Sequence, residues 1–191
     1  MNRTKGIETF VDTMKNISDI QWDKIAERLD NLDFFTAPAS VGHHGNYDGG
    51  LFDHSFEVTM QLLTLTEKLD LQWDDPRSPY IVGMFHDICK CDNYKKVQKA
   101  VESSDGDSVI LEEKWEYNNE CSMPGHGEKS IILTQKILGP LTYEEIMCIR
   151  WHMGAFDDKE NWKYYSRAVK DYPNVLFTHT ADMMASQIMG I

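Results

Sequence analysis

Imidazoles and carboxylates interrupt the apolar stripes of this chain at His54, His86, Asp87, His126, His152 and Asp182, each within a stretch that reads as helix. A folded chain can bury such groups only if they converge and pair, because an unpaired buried charge costs several kcal/mol. The expectation is an all-α fold, a helical bundle that turns these positions toward one another.

The centre of the pattern is Gly83-Met84-Phe85-His86-Asp87-Ile88-Cys89-Lys90, an apolar run that ends in an imidazole, a carboxylate and, three residues on, an ammonium. Adjacent helical residues point about 100° apart, so His86 and Asp87 can share an ion only if it lies between their directions. His54 stands near the start of a helix that continues through Leu62, Leu63, Leu65 and Leu69 at amphipathic spacing. His126 follows Met123-Pro124-Gly125 and opens a helix that stops at Gly139-Pro140. His152 falls in the last turn of another, between a capping box at Thr142-Tyr143-Glu144-Glu145 and an αL terminator at Gly154. Asp182 lies mid-helix in Val175-Leu176-Phe177-Thr178-His179-Thr180-Ala181-Asp182-Met183-Met184-Ala185. A bound metal would remove the objection to burying its charge.

At these residues the chain resembles the HD superfamily of metal-dependent phosphohydrolases, whose signature is a histidine, a His-Asp doublet and a distant aspartate on an all-helical scaffold. The resemblance runs from about His43 to Ser186 and includes the flanks Gly49-Gly50-Leu51-Phe52-Asp53-His54-Ser55 and Ala181-Asp182-Met183-Met184-Ala185-Ser186. His126 and His152 match the subgroup that holds two metals, and the layout is most similar to HD-type 3′ to 5′ exoribonucleases and related nucleotide phosphodiesterases. Cys89 departs from the family, which usually has glycine there, and is expected to alter packing more than chemistry. The resemblance implies that His54, His86, Asp87 and Asp182 hold a first metal. Asp87 would also reach a second, completed by His126 and His152.

The expected chemistry follows from such a pair. Two cations roughly 3.5 to 4 Å apart can share a bridging water and make hydroxide available near neutral pH for attack on a phosphoester. Imidazole ligands favour Fe, Ni, Co or Zn, while carboxylates and open positions also admit Mn or Mg. Asp87 and Lys90 are the candidate catalytic residues. Lys90, His43, His44, Lys129 and Arg150 are candidates for substrate phosphate, with an exposed loop the alternative for His43 and His44, and Trp151, Phe156 and Tyr94 read either as core or rim packing or as stacking a base. His179 shares a helix face with Asp182 and reads either as a partner that orients a carboxylate or as a core histidine bonded to backbone. Asp53 is expected either to tune His54 or to be solvated.

Composition narrows the substrate. A net charge of −12 opposes tight binding of long nucleic acid, whose affinity comes from phosphate neutralisation by Lys and Arg. A nucleotide, cyclic nucleotide or oligonucleotide end is favoured. At 191 residues and 41% hydrophobic content the expectation is one domain over 1–191, with a helical arm to residue 33 and the core from 34 onward. Ser18-Asp19-Ile20-Gln21 reads as a capping box inside the arm. No apolar run approaches the roughly 20 residues that span a bilayer, and the polar start lacks a secretory h-region, so a cytoplasmic, membrane-free protein is expected. The four cysteines have neither disulfide-scaffold density nor zinc-ribbon spacing. A β-hairpin is expected near residues 95–117, turning at Ser104-Asp105-Gly106-Asp107, with Trp115 and Tyr117 either packed beneath it or bordering the substrate entrance. Family habit admits a homodimer. Two other readings stay open: a mixed-valent di-iron oxygenase, and a nucleotide-binding module without turnover.

Overall fold

The computed structural model describes residues 7–12, 15, 22–43, 45–102, 109–123 and 125–191. Residues 7–12 are helical, and α1 spans Trp22–Asp30, with Ile25 and Leu29 one turn apart on its buried side. The segment Ser18-Asp19-Ile20-Gln21 lies outside the described residues. Helix α2, Gly50–Leu69, turns Leu51, Phe52, His54, Ser55, Val58, Thr59 and Leu62 inward. Helix α3, Ser78–Phe85, begins with Pro79 in its first turn, where the missing N–H costs nothing. Seven of its eight residues are buried, so it runs through the interior rather than along the surface.

Beyond α3 the chain turns through His86-Asp87-Ile88-Cys89 into the short α4, Lys90–Asn93, and then into a hairpin. Strands β1, Tyr94–Glu102, and β2, Val109–Tyr117, pair antiparallel from Tyr94 opposite Tyr117 to Glu102 opposite Val109. The expected turn at 104–107 lies outside the described residues. Asp48 moors the hairpin, accepting from Trp115 Nε1 at 2.7 Å and from Lys96 Nζ at 2.7 Å. Trp115 is thereby tied to the loop before α2 and packs against the core, while Tyr117 lines the cleft described below.

Helices α5, Gly127–Leu138, and α6, Tyr143–Trp151, pack together. The capping box opens α6 as read: Thr142 Oγ1 accepts from Glu145 N at 3.2 Å and Glu145 Oε2 accepts from Thr142 N at 2.8 Å. Two 3₁₀ turns, Gly154–Phe156 and Lys159–Asn161, lead to α7, Trp162–Asp171, and α8, Asn174–Met183, which continues as a π-helical segment over Met184–Met189.

The described residues are thus mostly helical with one two-stranded antiparallel sheet. The apolar interior has two lobes flanking α3. Phe34, Leu51, Phe52, Met84, Phe85 and Ile88 fill one together with Ile25 and Leu29 of the arm, and Val58, Leu62, Val82, Ile149, Val175 and Ala181 fill the other. The His-Asp doublet emerges from α3 where these lobes meet. No helix among the described residues is long and apolar enough to cross a membrane.

Candidate metal centre

Asp87 is the hub. Its Oδ1 lies 2.6 Å from His126 Nε2 and 3.4 Å from His152 Nε2, and its Oδ2 lies 3.5 Å from His54 Nε2 and 3.6 Å from His86 Nε2. Asp182 Oδ1 approaches His54 Nε2 at 3.3 Å from the opposite side. Four helices and one turn therefore deliver six groups to one place: α2 brings His54, the turn after α3 brings His86 and Asp87, and α5, α6 and α8 bring His126, His152 and Asp182.

The imidazoles are oriented by their outer nitrogens. His86 Nδ1 donates to Gly83 O at 2.8 Å and His152 Nδ1 to Ile149 O at 2.7 Å, each using a carbonyl freed three residues back at a helix end. His54 Nδ1 donates to Ile191 O at 2.8 Å. A carbonyl can only accept, so these three rings carry their proton on Nδ1 and turn Nε2 inward as a lone pair, the tautomer that suits a metal ligand.

The resulting centre could hold a cation. His54 Nε2 and His86 Nε2 face each other at 3.3 Å, and both face carboxylate oxygen. Burial pushes His86 down to about 3, against the pull of Asp87, so His86 itself supplies no bridging proton near neutral pH. His152 Nε2 is fully buried without a hydrogen-bond partner. Burial opposes ionisation of Asp87, but Lys90, His86 and His126 outweigh it and hold its carboxyl well below the usual range. Asp182 is likewise held low despite burial, by the neighbouring His54 and His86 imidazoles.

Among the described residues, three groups have ligand atoms close enough to share an ion: His54, His86 and Asp87; His86, His152 and Asp182; and Asp87, His126 and His152. Imidazole nitrogens mixed with carboxylate oxygens suit a divalent transition metal. The donor set fits the expected ligands.

His126 differs from the other three histidines. It caps the N-terminus of α5, its side chain is one-third exposed, and its Nδ1 meets the Cys89 thiol at 3.5 Å instead of a carbonyl. The departure at Cys89 therefore touches a candidate ligand directly, which packing alone did not suggest. Burial works against charge on His126, yet Cys89 and Asp87 raise its pKa to about 10. Without metal, a proton then sits between His126 Nε2 and Asp87 Oδ1 at neutral pH, and an ion using both must displace it. Affinity at that half is expected to rise about tenfold per pH unit below pH 10. Calorimetry in buffers of different ionisation enthalpy counts the proton released, and affinity independent of pH between 6 and 9 would contradict this assignment.

Asp87, His126 and Asp182 line a cleft of about 670 Å³ together with Lys90, Tyr94 and His43, whereas His54, His86 and His152 are fully buried. Lys90 Nζ is already ion-paired to Asp87 Oδ2, and this pairing raises its pKa against the effect of burial. Phe156 lines the opening and is two-thirds exposed, whereas Trp151 is buried beneath the Arg150 guanidinium.

Several other expectations meet a different arrangement. Lys129 does not reach the cleft, because its ammonium is drawn to Asp92, Asn93 and Cys121. Arg150 pairs with Glu128 and Asp157 beside a separate recess of about 300 Å³ that His126 also borders. Asp53 accepts from the Tyr47 hydroxyl at 3.1 Å, which ties it to the loop before α2. His179 Nδ1 donates to His152 O at 2.7 Å, so it braces backbone at a candidate ligand rather than the Asp182 carboxylate. His44 lies outside the described residues. The carbonyls of Gly83 and Ile149 were not among the expected partners, although a histidine ending a helix, three residues after a freed carbonyl, is a local signal that could have found them.

No protein-family model, no characterised protein and no solved structure matches this chain.

Proposed function

We propose that the protein is a metal-dependent phosphohydrolase of the HD type that cleaves a phosphoester in a nucleotide, cyclic nucleotide or short oligonucleotide. The observation that carries this reading is the convergence of four imidazole Nε2 atoms on the two sides of one buried carboxylate that lines a cleft of nucleotide size. His54, His86, Asp87 and Asp182 would hold one divalent ion, and Asp87, His126 and His152 a second. When bound, such ions supply Lewis acidity toward phosphate and lower the pKa of water to near neutrality.

The chain's own residues account for the rest. The carbonyl-braced rings keep their lone pairs inward before any ion arrives, so little reorganisation accompanies binding. Lys90 carries a positive charge at the cleft wall beside Asp87, where negative charge on a phosphoryl group would grow. His43, which also lines the cleft, can donate to a phosphate oxygen. Tyr94 and Phe156 offer ring faces for a base. The acidic exterior disfavours long nucleic acid, in keeping with a small substrate.

The test is hydrolysis of bis(p-nitrophenyl) phosphate and p-nitrophenyl phosphate by metal-stripped protein re-supplied separately with Mn, Fe, Co, Ni, Zn and Mg. Restoration by a transition metal, lost in His86→Ala, is the expected result, and the preferred ester separates diesterase from monoesterase. Absence of cleavage with every ion would defeat the proposal. Tight iron binding with oxygen consumption would then favour the di-iron oxygenase.

Replacing Lys90 with alanine is expected to leave metal content unchanged and to lower turnover by about 10²–10³, the usual cost of removing one electrostatic stabiliser. Steady-state kinetics at matched metal occupancy check this. A variant equal to the parent would remove Lys90 from the site.

A further inference from the structure

Away from the metal centre the chain buries a second ammonium, and it buries it against a thiol. Lys129, in the first turn of α5, has a side chain only 2% exposed. Its Nζ meets Asp92 Oδ2 at 2.6 Å, Asn93 Oδ1 at 2.8 Å and Cys121 Sγ at 2.6 Å. The Cys121 thiol in turn donates toward Asp92 Oδ2 at 3.2 Å and Met123 O at 3.1 Å.

Two features set this cluster apart from an ordinary buried ion pair. Sulfur is a weak acceptor and a larger atom than oxygen, yet the Nζ–Sγ separation is shorter than the roughly 2.7–3.2 Å of ordinary N–H···O bonds. The thiol is also reachable. Cys121 is partly exposed and borders a recess of about 350 Å³, whereas Cys89 and Cys148 are fully buried. Cys91 is partly exposed, but burial of its thiol raises its pKa well above the usual range, leaving little thiolate. An accessible thiol therefore sits against a buried amine that a carboxylate holds in place.

We infer that Cys121 and Lys129 form a reversible oxygen-bridged cross-link, Nζ–O–Sγ, when the protein meets a peroxide. The Sγ–H bond and one Nζ–H bond break, and Sγ–O and O–Nζ bonds form. Sulfur and nitrogen each lose two electrons, taken up by two molecules of hydrogen peroxide, which leave one oxygen in the bridge and depart as three waters. The ammonium releases its extra proton to water before the bridge closes. An oxygen bonded to both atoms holds nitrogen and sulfur near their present separation, whereas a direct S–N bond would require them to close on each other. Burial opposes charge on Lys129 while Asp92 and Cys121 favour it, and oxidation of the thiol removes one of those two supports.

The bridge would tie the loop before His126 to α5, and its chemistry does not depend on metal. The experiment is intact-mass measurement of the full chain, reduced and then exposed to hydrogen peroxide. The expected product is heavier by about 14 Da, one oxygen gained and two hydrogens lost, and reverts with dithiothreitol. Peptide mapping should recover a cross-linked pair containing Cys121 and Lys129. Cys121→Ser should abolish the product, and Lys129→Arg should divert Cys121 to gains of about 16 or 32 Da. In the parent, gains of about 16 or 32 Da on Cys121 alone, a loss of about 2 Da, or no change would overturn the inference. Mapping of the parent decides the matter even if either variant fails to fold.

Discussion

Asp87→Ala is expected to abolish both metal binding and hydrolysis, and to destabilise the metal-free protein at the same time. Both effects follow from one side chain facing five partners. In the metal-free state the carboxylate neutralises Lys90 and the proton on His126, and it faces His54, His86 and His152. Deleting it leaves a buried ammonium unpaired, a change that typically costs about 3–5 kcal/mol. That is a large share of the 5–15 kcal/mol by which a domain is stable, so thermal unfolding should shift down by several degrees while circular dichroism at low temperature remains helical. Asp87→Asn separates the two effects. It keeps the volume and can still accept from Lys90, so stability should largely recover while metal content stays low. Parent-like metal binding in Asp87→Asn would show that another group is the hub.

Gly127→Ala and Gly83→Ala are expected to damage opposite halves of the centre. A Cβ on Gly127 would press on the carbonyl oxygen of Arg150 and lie 2.8 Å from its Cα, forcing α5 and α6 apart. A Cβ on Gly83 would meet Thr59 Cα and Oγ1 at 2.6 Å, forcing α3 from α2. These obstacles are mostly backbone and cannot step aside, so each substitution should cost at least the 1–3 kcal/mol usual for overpacking. The functional consequences differ. Gly127→Ala displaces His126 relative to His152 and should reduce the metal bound from two ions to one, leaving the His54–His86 side occupied. Gly83→Ala displaces His54 relative to His86 and should impair that side first. Elemental analysis of metal per chain, paired with calorimetry, distinguishes these outcomes. Identical stoichiometry in both variants would mean that the halves do not load separately.

The six groups of the centre were legible because polar residues inside helical apolar stripes carry their own signal. Helix ends were equally legible. The capping box at Thr142 and Glu145 formed as read, and Gly154 takes a φ of 56° just after α6. The hairpin followed from two β-prone runs around a turn sequence, and its paired strands match the expected segment to within a residue at its start. Such features depend on neighbours a few positions apart.

Cations were the least legible part. Lys90, Lys129 and Arg150 all stood near candidate ligands in sequence, but only Lys90 faces the cleft. Long flexible side chains have many rotamers, and the nearest unpaired carboxylate in space, not in sequence, selects among them. Asp92 took Lys129, while Glu128 and Asp157 took Arg150.

What the sequence determined by itself was which residues are ligand-type, which helices carry them and which face each must bury, because helical periodicity and end signals are local. What the tertiary structure alone decided was that Asp87 stands at the middle, that His54 is braced by a carbonyl 137 residues away, that Cys89 lies against His126 and that Lys129 was claimed by Cys121 and Asp92. Those pairings arise only when helices distant in the chain pack, since periodicity sets the direction of a side chain and packing sets what it meets.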